Sequence, residues 1–330
     1  MGSIEEIITK KHMMLFSGTA HPSLTEEIAK HLGVPLYDAN ISRFASGEIH
    51  VRYTESVRGS DAFVIQPHAD PVNESIFEQL IMIQALKLAS AKRIIAVIPY
   101  YGYSRQDRKA LAREPISAKL VADLLTAAGA DRVVSVDLHS GQIQGFFDFP
   151  VDHLTALPLL SDYMRDQMGL KSENLVVVAP DAGRVKTAER FREHLHADLA
   201  FIYKRRSRRE PHKIETTTVV GEVRGRQCVF VEDMIDTGST LIEGAEALDR
   251  EGAGEIFAAA THAVLSGKAI PRLEESPIKE LVVTNTLPIP EEKRSEKVTV
   301  LSIAPIIASA LKAVFEDQSV SEIFHGENQP

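Results

Sequence analysis

Between Cys228 and Thr240 the chain reads CVFVEDMIDTGST. An apolar run of the kind that forms a buried strand ends in two adjacent acids, Glu232 and Asp233. Asp236, Thr237, Gly238, Ser239 and Thr240 follow, just ahead of a helix-period stretch from Leu241. Small residues in a strand-to-helix turn let several backbone N–H groups converge. Hydroxyls add donors and the helix N-terminus adds its positive end, so this segment suits a phosphate. Carboxylates at the C-terminal end of a parallel strand beside such a turn suit sugar hydroxyls or Mg²⁺. The competing reading is an ordinary helix cap by Thr237 or Ser239, with the acids favouring the dipole. A cap alone needs neither the acid pair nor the full run of small residues.

Three further clusters carry chemistry-bearing side chains. Arg105-Gln106-Asp107-Arg108-Lys109 follows the apolar run Ile94–Ile98 and the turn-rich PYYGYS, so it falls on a loop at a strand end. Cations there suit a polyphosphate, although such a run also serves as a solvated surface loop. Lys204-Arg205-Arg206-Ser207-Arg208-Arg209 is the densest positive run. It lacks the interleaved aromatics that would stack bases and, taken alone, reads as a solvated loop. His139 ends the strand Val133–Val136 after Asp137, where a histidine is either a hydrogen-bonded structural residue or a ligand. His194 and His196, two apart in a helix-period segment, do not share a face and read as surface residues.

The elements that must position these groups alternate. Short β-branched runs recur at Met13–Phe16, Ala62–Gln66, Ile94–Ile98, Val133–Val136, Leu175–Ala179, Val229–Val231, Ile256–Ala260, Leu281–Val283 and Val298–Ile303. Helix-period segments at Glu78–Leu88, Ile116–Ala128, Arg184–Leu195 and Leu241–Asp249 stand between them. Strands alternating with helices imply parallel βαβ units, and continuously apolar strands imply a sheet covered on both faces. Gly129-Ala130 leads through a strand to His139 as Gly252-Ala253 leads to His262, a repeated step that points to two related α/β halves. The boundary is read in the loop-like stretch Val151–Leu157, bracketed by Pro150 and Pro158, giving domains at 10–153 and 154–330. The alternation KIETTTVVGEV between Pro211 and Arg226 reads as a β-hairpin or flap.

Composition narrows the class. A chain of 330 residues, 44% hydrophobic and 25% charged, is long enough for about two domains and ordinary for a soluble globular protein. Its net charge of −9, from 37 Lys and Arg against 46 Asp and Glu, argues against a general nucleic-acid binder. Any anion site must be local. The start MGSIEEIITKK has no apolar core of a leader peptide, no apolar run is long enough to span a bilayer, and Cys228 is the single cysteine. The expected compartment is the cytoplasm.

VEDMIDTGST is similar to the phosphoribosyl-diphosphate motif of phosphoribosyltransferases and of ribose-phosphate diphosphokinase, and the remaining chain resembles the latter almost end to end. The carriers are FASGE at 44–48, ESVRG at 55–59, PYYGYSRQDRK at 99–109, DLHSGQIQGFFDFPVD at 137–152, PDAG at 180–183, GEVRGR at 221–226, THAVLSG at 261–267 and TNTLP at 284–288. The resemblance implies two related phosphoribosyltransferase-like domains, each a mainly parallel sheet flanked by helices. It also implies transfer of the β,γ-diphosphate of Mg-ATP to O1 of ribose 5-phosphate. Residue by residue, it assigns Lys204 and Arg206 to catalysis and Phe44, Ser46, Gly47, Glu48, Arg105, Gln106 and Asp107 to ATP, the 44–48 residues serving a neighbouring subunit. Glu232, Asp233, Asp236, Thr237, Gly238, Ser239 and Thr240, with Arg206, take ribose 5-phosphate, and His139 and Asp181 take Mg²⁺. Arg58, Gln144, Ser319 and Ser321 match positions that bind inorganic phosphate or ADP in the phosphate-activated class, whose members form homohexamers. Four residues depart from the family pattern: Glu232 replaces Asp, Ser239 Gly, Ser46 Asn or Asp, and Gln84 Asp. Two other readings remain: a phosphoribosyltransferase that uses the product, which leaves the Arg105–Lys109 loop without a task, and a catalytically weak regulatory paralogue.

Overall fold

The computed structural model describes residues 11–170, 172–206, 214–324 and 326, with the backbone alone for 204–206 and 214–216. The chain forms two compact units. The first takes the chain through Thr155 together with Thr286–Pro288 and the segment from Ala304 on; the second takes Ala156–Asn285 and Ile289–Ile303.

The first unit carries β1 (Met13–Ser17), α1 (Pro22–Leu32), β2 (Leu36–Tyr37), β3 (Ala39–Arg43), β4 (Ile49–Tyr53), β5 (Asp61–Ile65), α2 (Val72–Leu88), β6 (Arg93–Ile98), α3 (Ser117–Ala128), β7 (Arg132–Val136) and β8 (Val151–Leu154). Six strands form a parallel sheet in the order β2-β1-β5-β6-β7-β8, and β3 and β4 form a separate antiparallel hairpin. Alternate strand residues Met14, Val64, Ala96 and Val133 share one buried cluster with Ile83 and Leu125 of α2 and α3. The intervening Leu15, Phe63, Ile95 and Val134 are equally buried. Both faces are therefore covered, as the unbroken apolar strands require.

The second unit carries α4 (Leu157–Asp166), β9 (Leu175–Ala179), α5 (Val185–Leu195), β10 (Asp198–Arg206), β11 (Ile214–Val220), β12 (Gln227–Ile235), α6 (Ser239–Arg250), β13 (Ile256–Ala263), α7 (Ala269–Glu275), β14 (Ile278–Thr284) and β15 (Val298–Leu301). Its sheet runs β11-β10-β9-β12-β13-β14-β15, parallel throughout except for the β10–β11 pair. Here α6 and α7 share one cluster with Val178, Phe230 and Ala258, while α5 packs on β9 and β12, and α4 on β13.

Dropping the antiparallel β3, β4 and β11 leaves the same connectivity twice. The order β2-β1-β5-β6-β7-β8 answers to β10-β9-β12-β13-β14-β15, with α-helices at the β1–β2, β5–β6 and β6–β7 crossovers and at their counterparts β9–β10, β12–β13 and β13–β14. The duplication expected from sequence is real, but its carrier is not. Gly129 precedes β7 and Gly252 precedes β13, whereas β7 corresponds to β14. The Gly-to-His step matched two non-equivalent strands because a helix, a tight turn and a buried strand recur at every βα unit.

Three further expectations change. Val151–Leu154 is not a loop; it is β8, the parallel edge strand beside β7, and Pro158 sits in the first turn of α4. The alternating segment 214–220 is a single strand whose partner is β10, upstream of the expected hairpin. The last helix, α8 (Ala304–Phe315), packs against α1 and β8 and so clusters with the first unit, where a 154–330 domain would have kept it in the second. Since α4 follows β8 yet belongs to the second unit, the helix after each parallel sheet is assigned to the other unit.

Candidate active site

In an open parallel sheet, ligands sit at the carboxyl ends of the strands where the connections change direction. In the second unit that point lies between β9 and β12, because β9 connects leftward to β10 and β12 rightward to β13. Asp181 follows β9, Glu232 and Asp233 lie in the last half of β12, and Asp236–Thr240 leads from β12 into α6. One cation holds the acid pair: Arg184 Nε lies 3.1 Å from Glu232 Oε2 and Arg184 NH2 lies 2.6 Å from Asp233 Oδ1. Burial pushes the Glu232 carboxyl up to about 8; Arg184 opposes this, and the negative charges of Asp233 and Asp181 reinforce it. Asp181 is exposed, and its Oδ1 accepts the Gly183 N–H at 2.7 Å.

The turn has the shape its residues imply. Gly238 stands at φ 72 and ψ −4 as the residue before α6, a left-handed conformation that glycine adopts without steric cost. Ser239 is the first helical residue and lacks a positive φ, so its side chain is accommodated where the family pattern has glycine. Thr237 Oγ1 and Ser239 Oγ are 3.2 Å apart, and Arg272 NH1 donates to Thr237 O at 2.9 Å and to Ser239 Oγ at 2.8 Å. Lys204 and Arg206 lie on the β10 backbone, paired through Thr217 and Ile214 of β11. Their side chains, with residues 207–213, lie outside the described residues.

In the first unit the corresponding point between β1 and β5 is filled from within. Gln66 Nε2 donates to Glu78 Oε1 at 2.7 Å, its Oε1 accepts Ala20 N–H at 3.1 Å, and Glu78 also accepts the Thr19 N–H at 2.7 Å and hydroxyl at 2.8 Å. Gln66 and Glu78 are both buried. The chemistry-bearing residues stand instead on the loops after β6 and β7. Arg105 and Gln106, both exposed, line a hollow of about 530 Å³ with Asn73, Glu74, Tyr100 and Tyr103. Gly47 and Glu48, at the tip of the β3–β4 hairpin, line another of about 540 Å³ that shares Asn73 and Glu74. Phe44 is 59% exposed beside them, and the Ser46 hydroxyl donates to Glu48 Oε2 at 2.6 Å.

Asp107 turns inward, accepting from Ser140 Oγ and Gln142 Nε2, both at 2.6 Å. It thereby ties the β6 loop to the turn that carries His139. Leu138 N–H donates to His153 at 3.0 Å, and Tyr103 and Asp137 both adopt positive φ, 62 and 36. Non-glycine residues so placed are held by surrounding structure and gather at functional loops. Buried His68, whose pKa burial lowers to about 4, is neutral: it accepts Gly102 N–H at 2.9 Å and meets Gln79 Oε1 at 3.1 Å. Arg58, Gln144, Ser319 and Ser321 all belong to the first unit; Gln144 is half-buried and the others are exposed.

Sequence reasoning missed Arg184 and Arg272. The PDAG block stops one residue short of Arg184, and a cation beside a strand-end acid was the available signal. Arg272 had none, since it is 35 residues from Thr237.

Together, the doubled parallel sheet, the acid pair and the strand-to-helix turn define an α/β protein of the phosphoribosyltransferase type. The family model for the N-terminal domain of ribose phosphate pyrophosphokinase matches residues 13–129, and that for the phosphoribosyl synthetase-associated domain matches 206–325. Ribose-phosphate pyrophosphokinase of Streptomyces avermitilis is 54% identical over 315 residues, covering 96% of this chain and 97% of the relative. The enzyme of Mycobacterium tuberculosis is 54% identical over 319 residues, with the same coverage. The crystal structure of phosphoribosylpyrophosphate synthetase from Mycobacterium smegmatis superposes with a TM-score of 0.88 at 52% identity, covering 93% of this chain and all of that one. The chain belongs to the ribose-phosphate pyrophosphokinase family.

Proposed function

We propose that the protein forms 5-phosphoribosyl 1-diphosphate and AMP from ATP and ribose 5-phosphate. The observation that carries this reading is the turn Asp236–Thr240 entering α6 beside the Arg184-clamped acids Glu232 and Asp233, in a chain matched over nearly its whole length by enzymes of that name. In the reaction O1 of the sugar bonds to the β-phosphorus, the bond from that phosphorus to the oxygen shared with the α-phosphate breaks, AMP leaves with that oxygen, and the O1 proton passes to solvent.

Such a transfer depends on alignment and on neutralising charge more than on covalent help from the protein. Backbone N–H groups and hydroxyls of 236–240 hold the 5-phosphate. Glu232 and Asp233 take ribose hydroxyls and orient O1. Arg105 and Gln106 hold the ATP phosphates, with Phe44, Ser46, Gly47 and Glu48 completing a nucleotide pocket in a neighbouring subunit and Asp107 holding the loop. Lys204 and Arg206 are assigned to neutralising the charge on the transferring diphosphate, by the family resemblance.

Asp181 fits Mg²⁺: it is an exposed, hard oxygen donor with one oxygen already oriented by Gly183 N–H. Mg²⁺ keeps most of its waters and takes substrate phosphate oxygens besides a carboxylate; His139 completes the assignment on the nucleotide side. Bound with ATP, the ion would supply charge neutralisation at the phosphates. A homohexamer, activation by inorganic phosphate through Arg58, Gln144, Ser319 and Ser321, and a cytoplasmic location complete the reading. Among the described residues no helix is long and apolar enough to cross a membrane.

The test is incubation of the purified chain with Mg²⁺ and ATP, with and without ribose 5-phosphate and with and without inorganic phosphate. AMP formation that requires the sugar is expected. A chain that turns over only phosphoribosyl diphosphate with a base overturns the proposal.

A further inference from the structure

We infer that Arg272 is a positioning residue for the sugar phosphate, acting by fixing the Thr237–Gly238 peptide plane. The inference rests on the reading of 236–240 as the 5-phosphate loop. In a trans peptide the carbonyl and the following N–H point in opposite directions. Arg272 NH1 donates to the Thr237 carbonyl at 2.9 Å, so the Gly238 N–H is aimed away from Arg272. Gly238 has no Cβ to hinder rotation, and its φ of 72 belongs to a region only glycine enters freely. That peptide would otherwise flip at low cost. A flipped peptide would present a carbonyl oxygen where the loop must present an N–H, replacing an anion donor by an anion repeller.

The second hydrogen of the same NH1 donates to Ser239 Oγ at 2.8 Å. Thr237 and Ser239 share two hydroxyl protons, one of which lies between them at an oxygen separation of 3.2 Å. With Arg272 occupying a lone pair of Ser239, the other proton is left to donate to an anion. Arg272 reaches the loop from α7, in the next βα unit, and lines a hollow of about 300 Å³ with Ile242, Glu243, Glu246 and Glu275. These carboxylates suit a guanidinium and would repel a phosphate, so Arg272 acts from behind the loop while the anion binds on the other side.

The experiment compares wild type, Arg272→Ala, Arg272→Lys, Ser239→Ala and the double variant Arg272→Ala with Ser239→Ala, reading steady-state kinetics and direct calorimetric titration with ribose 5-phosphate. Arg272→Ala is expected to raise KM and Kd for ribose 5-phosphate about tenfold or more, as loss of a charged hydrogen-bond donor does. KM for ATP should stay within about twofold, and kcat should fall less than KM rises. Arg272→Lys, able to reach the carbonyl alone, should recover part of the loss, and Ser239→Ala should leave most of the Arg272 effect in place when the two are combined. Unchanged sugar affinity in Arg272→Ala overturns the inference, as does a parallel rise in both KM values. If wild type binds ribose 5-phosphate but forms no AMP, the assigned reaction fails while the peptide-plane inference is still decided by the titration.

Discussion

Arg184 faces two carboxylates within 3.1 Å, and all three side chains are at most 16% exposed. Removing one partner of a buried ion pair leaves uncompensated charge, so Arg184→Ala is expected to cost about 3 kcal/mol in a denaturant titration. The cost should be larger at pH 8 than at pH 6, where Glu232 already holds a proton. The sign follows from the raised carboxyl. Its folded value is about 8 against an ordinary 4.5, so between these pH values the folded state binds the extra proton and stability falls as pH rises. Melting temperature should therefore decline from pH 5 to 8 in wild type, and Glu232→Gln should flatten that decline; an equal slope in both refutes it. Lys204→Ala should lower kcat by roughly 10²–10³, with KM for ATP nearly unchanged, if its cation acts on the transferring group. An unimpaired variant removes Lys204 from the mechanism.

Two loops are held at the level of elements. The turn before α6 depends on the left-handed Gly238, and Gly238→Ala is expected to cost about 1–2 kcal/mol and to weaken ribose 5-phosphate more than ATP. The loop after β6 depends on close approach. A Cβ at Gly102 would stand 2.9 Å from His68 Cβ and 3.1 Å from Val72 Cγ1, so Gly102→Ala should push the 103–106 segment and raise KM for ATP with little change for the sugar. Measuring both KM values in both variants separates the loops; a crossed result would reverse the assignment. The strand-end position of each loop was legible in the sequence because Cys228–Val231 and Ile94–Ile98 are continuously apolar. The supporting contacts were not, since His68 reaches Gly102 across 34 residues and nothing in local spacing marks it.

At the scale of the molecule, the exchange of the final helices ties stability to the chain's end. α8 buries Ile307, Ala308, Leu311 and Val314 and packs on α1 and β8, while Arg93 joins Asp61 at 2.5 Å and Asp317 at 2.8 Å. A chain ending before Ala304 should lose hydrogen-exchange protection first in α1 and β8 of the first unit, with β9 and β12 of the second protected for longer. Loss in the second unit first would contradict the assignment of α8. Within the doubled topology the halves differ at their switch points: one holds the acids and the Asp236–Thr240 turn, whereas the other is closed by Gln66, Glu78 and Thr19.

By itself the sequence determined the parallel α/β class, the strand-end placement of 105–109 and 228–240, and the family, because these depend on runs of neighbouring residues whose burial and turn chemistry are local. Only the tertiary structure decided that Arg184 clamps the acids, that Arg272 donates to the Thr237 carbonyl, that Asp107 braces the His139 turn, and that α8 belongs with the first unit. Each of these joins groups distant in the chain, and a side chain's partner across such a distance is set by how the sheets and helices pack.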